Sequence, residues 1–144
     1  SQVKSSYVFF PEAQEVCFRL FEKEDSNAQL LKLLKRFARE VVVARTWEFA
    51  KHYGLNIERV SVRNQSTRWG SCSSSGTISL NWRLILLPCE LHDHVIYHEL
   101  AHVKQMNHSG AFYALLEEYD PQSTIHSKEL TKISDYYMRL SRKV

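Results

Sequence analysis

The sequence predicts an α+β fold in which a small β-sheet packs on a histidine-bearing helix, with a long amino-terminal helix as scaffold. Three observations predict it. Apolar residues between positions 28 and 53 recur at three- and four-residue steps, the period of an amphipathic helix. Residues 57 to 82 alternate apolar and polar side chains around a Ser/Gly turn, as strands do. A further helical stretch carries "HELAHVKQMNH", residues 98–108, which holds three of the chain's seven histidines and a glutamate.

The elements follow in order. Pro11 can open a short helix toward Glu24, with Phe18, Leu20 and Phe21 as its apolar residues. "EDSNAQ" breaks it, and Ser26 or Asn27 is expected to cap the next helix. That helix, about 27–54, presents Leu30, Leu31, Leu34, Phe37, Ala38, Val41, Val42, Ala44, Trp47 and Ala50, and Gly54 stops it. Ile57, Val60 and Val62 mark a strand. "TRWGSCSSSGTISLNWRL" reads as two strands joined around Ser73 to Gly76. Pro88 precedes a helix from about Glu90 to Met106; others are expected near Ala111 to Glu118 and from about Ser127 to Arg142.

Composition narrows the class. The 144 residues are 44% hydrophobic and 24% charged, which suits one domain able to bury its own core. A net charge of +3 permits nucleic-acid contact without arguing for it. Cys17, Cys72 and Cys89 form neither a CxxC pair nor a disulfide framework. With no 18-residue apolar run and no basic-then-apolar start, a cytoplasmic location and no membrane partner are expected.

The chemistry lies in the histidine spacing. His98 and His102 are four apart, so on a helix they sit about 6 Å along the axis and roughly 40° around it. Both imidazoles can then converge on one zinc ion. Glu99, beside the first ligand, can reach a water at the metal without ligating it, as a general base must. A catalytic zinc needs a third protein ligand and an open position, and His108 is the candidate. On an unbroken helix His108 would point about 240° away from His102, so the chain must turn first. Asn107 tolerates a helix-ending conformation, and Gly110 eases the turn. The opposite side carries Val95, Ile96, Leu100 and Val103 for the core.

The other histidines read more plainly. His92 and His94 suit surface or supporting positions, His52 suits a helix C-terminus, and His126 is a weaker cleft candidate. Trp69 and Trp82 suit sheet anchors, Gly70 a close backbone approach, and Arg68 and Arg83 partners for acids or carbonyls. Cys72 as a fourth ligand would close the water position. For the oxyanion, Tyr113, Tyr119, Tyr136, Tyr137 and His126 stay equivalent candidates.

"VRNQSTRWGSCSSSGTISLNWRLILLPCELHDHVIYHELAHVKQMNHSGAFY", Val62 to Tyr113, resembles the YgjP-like metallopeptidases, relatives of the SprT-like and WLM zinc proteases. The RWGSC block, the LNWRL segment, the proline before the helix, the aspartate upstream of HExxH and the NHS-xx-F ending match in order. The histidine spacing also resembles the metzincins, but Gln105 stands where they carry glycine and Met138 lies in a helical pattern instead of a Met-turn. The resemblance implies a zincin-like domain, zinc on His98, His102 and His108, and Glu99 as catalytic base; as a departure, the family's extended amino-terminal region is expected to be shortened or absent here. Residues 1–144 then form one metallopeptidase domain: lead-in 1–26, scaffold helix 27–54, and sheet with zinc-site core 55–144. The expected partner is an extended or unfolded polypeptide, added as a strand along Thr77 to Trp82 with Ser79 and Asn81 nearer the substrate. Two alternatives stand beside this: a SprT-like protease acting on DNA-bound proteins, suggested by kinship and the basic end "RLSRKV", and a non-hydrolytic zinc module for peptides.

Overall fold

In the computed structural model, residues 6–10, 15–19 and 25–140 are described, the first two stretches by backbone alone. The first is strand β1 (Ser6–Phe10), paired antiparallel with β2 (Glu15–Arg19) in the register Val8 to Cys17. Residues 15–19 of the helix expected from Pro11 toward Glu24 are therefore strand, while 11–14 and 20–24 lie outside the described residues. Val16 and Phe18, β-branched and aromatic, alternate through the stretch, and that two-residue period prevails over the helical reading.

Helix α1 (Ser26–His52) matches the scaffold helix, but its cap is Asp25, whose carboxylate accepts the Asn27 N–H at 3.0 Å. Its buried line is Leu33, Ala38, Val42, Thr46 and Ala50, while Trp47 is exposed. Thr46 is tolerated there because its hydroxyl donates to the Val42 carbonyl at 2.7 Å. At the other end Gly54 takes φ +63. The Leu55 N–H then reaches the Ala50 carbonyl (2.8 Å) and the Gly54 N–H that of Lys51 (3.2 Å), which satisfies carbonyls the helix would leave open.

Strands β3 (Arg59–Arg63), β4 (Gly70–Cys72) and β5 (Thr77–Asn81) form a sheet in the order β3-β5-β4, parallel then antiparallel. Gly76 at φ +90 makes the expected turn between β4 and β5. Because β5 is central and bonded on both sides, it has no edge to offer a substrate; this overturns strand addition along Thr77 to Trp82. Ile78 and Leu80 do face the core, but Asn81 is buried too, its amide donating to the Gln65 and Arg68 carbonyls. Its carbonyl oxygen accepts the Arg83 N–H, so the chain leaves the sheet as a 3-10 helix, Trp82–Leu86, instead of continuing as a strand.

Three helices complete the fold: α2 (Cys89–Lys104), α3 (Gly110–Tyr119) and α4 (Ser123–Leu140). The last begins four residues before the expected Ser127, and residues 141–144, with most of the basic end, lie outside those described. Both tryptophans act as anchors. The Trp69 indole N–H donates to Ser134 on α4 (2.7 Å), and that of Trp82 to Asn64 (2.9 Å). Arg45 on α1 clasps Asp93 on α2 through two 2.6 Å hydrogen bonds, and Arg83 donates to the Gln65 carbonyl. No helix among the described residues is long and apolar enough to cross a membrane.

At Gly54 an added Cβ meets nothing within 4 Å, so only the positive φ opposes it. Gly54→Ala is expected to lower stability by about 1 kcal/mol, read as a reduced urea midpoint with unchanged m-value.

Candidate active site

Helix α2 is amphipathic in an unusual way. Leu91, Val95, Ile96, Leu100 and Ala101 are buried against the core, yet His92, His94, Glu99 and His102 are buried as well. The surface positions expected for His92 and His94 are thus not observed. α2 ends at Lys104; the break comes at Gln105, in extended backbone (φ −134, ψ 91), two residues earlier than the Asn107 turn expected. That break frees the Gln105 carbonyl to accept the His102 Nδ1–H at 3.1 Å, which fixes the tautomer that leaves Nε2 a lone pair. It also returns the chain toward the helix. His108 Nε2 comes to 3.0 Å from His102 Nε2, and one ring nitrogen from each of His98, His102 and His108 lies within 4.8 Å of the others.

Phe112 on α3 organises the three rings. It is fully buried, stacks on His102 (centroids 4.4 Å apart, planes 23°), and stands edge-on to His98 at 5.0 Å and to His108 at 4.9 Å. Burial, then the neighbouring His102, His108 and His94 rings, push His98 down to about 4, and burial also lowers His102. Both are neutral near pH 7, the form that can bind a metal. Three imidazole nitrogens in one place fit a zinc-type cation.

Glu99 points toward β4. A Cβ on Gly70 would lie 3.0 Å from Glu99 Cγ, 3.1 Å from its Oε2 and 3.1 Å from Leu80 Cδ2. The glycine of "RWGSC" is thus the space that the Glu99 side chain occupies. Burial pushes the Glu99 carboxyl up to about 7, with the Arg68 charge pulling the other way. Burial, then the Glu99 charge, raise the Cys72 thiol to about 11, so it stays protonated and is unsuited to be a nucleophile.

Behind this group lie residues that sequence reasoning undervalued. Burial alone would raise the Asp93 carboxyl, but hydrogen bonds from Arg45 and His92 outweigh it and hold it below the usual value. Asp120, the residue after α3, was not singled out at all, for no spacing rule ties it to α2. Its Oδ2 lies 2.8 Å from both His94 Nδ1 and His126 Nδ1. Among the tyrosines, Tyr113 is exposed beside His108, Tyr119 is buried against Tyr53, and Tyr136 is exposed against Tyr137.

The family model described as the YgjP-like metallopeptidase domain matches residues 13–133. Among solved structures, the metallopeptidase zymogen abylysin of Pyrococcus abyssi is similar at 24% identity and a TM-score of 0.48, over 69% of this chain and 90% of that one. The metallopeptidase zymogen jannalysin of Methanocaldococcus jannaschii is similar at 18% identity and a TM-score of 0.46, over 68% and 94%. No curated protein matches the chain significantly.

Two outcomes follow from Glu99. In the metal-free protein its carboxyl is raised from 4.5 to about 7, so the folded state holds a proton that the unfolded chain loses. Stability from this group is full below pH 4.5 and declines to its minimum above pH 7. Glu99→Gln, measured by urea unfolding in chelator, should match the parent near pH 4.5 and exceed it at pH 8 by on the order of 3 kcal/mol. Gly70→Ala, by contrast, should shift the carboxylate by a few tenths of an ångström while leaving metal content intact, with peptide cleavage falling about 10-fold.

Proposed function

The chain belongs to the YgjP-like metallopeptidase family, and from that premise we propose that it hydrolyses peptide bonds with zinc on His98, His102 and His108 and Glu99 as general base. The observation that carries this reading is the convergence of three imidazoles within 4.8 Å beside a carboxylate that is nearly fully buried. When bound, zinc supplies Lewis-acid polarisation of the scissile carbonyl and acidifies the attacking water.

The protein's own groups do the rest. Glu99 takes the proton from the attacking water and delivers it to the leaving amine. Burial in the metal-free protein shifts its pKa upward, the direction that makes a carboxylate a better proton acceptor than an exposed one. The gap at Gly70 sets where the carboxylate stands, and Phe112 sets the imidazole planes. The retained, aimed Glu99 argues for hydrolysis over a zinc module that only binds peptide.

The substrate is an extended polypeptide. With β5 closed on both sides, we assign its main chain to the outer edge of β4, which among the described strands pairs only with β5. Strand β4 carries Gly70 and so adjoins Glu99. Recognition through backbone hydrogen bonds makes selectivity loose.

The test is a pair of variants assayed on an unfolded protein substrate. Glu99→Gln should retain zinc and lose at least about 100-fold in turnover. His108→Ala should weaken zinc at the catalytic site by more than about 100-fold. A zinc-loaded Glu99→Gln protein that cleaves at the parental rate would remove Glu99 as base, and an unaltered zinc affinity in His108→Ala would remove the third ligand.

A further inference from the structure

Next to the catalytic histidines stands a second group that the proposed reaction does not use. His94 lies one helical turn before His98, with ring centroids 6.5 Å apart. Asp120 caps the end of α3, and His126 lies in the first turn of α4. One ring nitrogen from each histidine and one carboxylate oxygen lie within 4.8 Å of one another, and both Nδ1 atoms are 2.8 Å from Asp120 Oδ2. Ligand atoms around a divalent ion at about 2.0–2.2 Å stand roughly 3–4 Å apart, so the group needs little adjustment to close on one. His94 and Asp120 are over nine-tenths buried.

Charge makes the group more than a packing detail. A carboxylate removed from water requires a compensating charge or a full set of donors. Asp120 Oδ1 accepts the Gln122 N–H at 3.2 Å, and the ion-pair partners of Oδ2 are the two imidazoles. In the metal-free protein each Nδ1–H donates to Asp120 Oδ2, so an ion seated there replaces those two hydrogen bonds while each ring carries its proton on Nε2.

We propose that His94, Asp120 and His126 form a second divalent-cation site, distinct from His98, His102 and His108. Two imidazoles and one carboxylate select a borderline transition ion of the zinc class over calcium or magnesium. Its ligands come from α2, the α3–α4 connection and α4, so the ion clamps the last helix onto the catalytic one. α4 also carries Ser134, the hydrogen-bond acceptor of Trp69, which places the clamp behind the "RWGSC" strand as well.

Metal content settles it without an activity assay. Tag-free protein, stripped with chelator and titrated with zinc alone, is expected to take up two ions. Asp120→Asn and His126→Gln should each take up one, with unchanged far-UV circular dichroism. In a His108→Ala background, zinc should still raise the melting temperature, and adding Asp120→Asn should abolish that rise. Retention of every parental ion by both folded variants, Asp120→Asn and His126→Gln, would overturn the proposal. If the parent binds a single ion, its loss in His108→Ala and survival in Asp120→Asn also overturns it; the opposite pattern keeps this site and removes the catalytic assignment.

Discussion

The approach of α2 to β4 is the contact on which the rest of the structure depends. The helix comes so near the strand that a Cβ at residue 70 would press on Glu99 and Leu80, whose side chains would have to give by a few tenths of an ångström. Everything around it serves the same approach. Trp69 pins the neighbouring residue to α4, Leu80 fills the space beneath, and the Arg45–Asp93 clasp fixes α2 against the scaffold helix from the far side. A glutamate in that position is held at a strand without being a core residue, which is an unfavourable place for a carboxylate in stability alone. Burial raises its pKa, and that costs the fold whenever the group is charged.

Local periodicity made much of this legible. The α1 helix, the β4–β5 turn and the helix bearing residues 98–104 all follow from patterns within about one turn or one hairpin. The geometry of His98 and His102 is fixed by helical spacing alone, and His108 needed only that the helix end before it. The helix does end, but at Gln105, because the carbonyl released there has a partner in His102. Sequence pattern marked a break without locating it.

What stayed hidden depends on contacts between distant residues. Nothing local says that β5 lies between β3 and β4, where its Ile78 and Leu80 are fully buried. Asp120 meets His94 across 26 positions, and Trp69 meets Ser134 across 65. His92 and His94 read from sequence as surface or supporting residues, because polar residues in helices are usually exposed; α2 is buried almost all round, which leaves the supporting role. The strand at 15–19 is ambiguous in sequence because Phe18, Leu20 and Phe21 fit a helical face as well as Val16 and Phe18 fit alternation.

Phe112 has a consequence of another kind. One side chain is at once the centre of the hydrophobic core and the wall against which three imidazoles rest. Any substitution there alters core volume and ring orientation together, so the two properties have no separate mutational route at this position. Drift that improves packing elsewhere in the core can be absorbed by neighbours such as Leu116, but at 112 the lineage inherits both properties or neither. The site is thereby tied to the history of the core and is no detachable decoration of its surface.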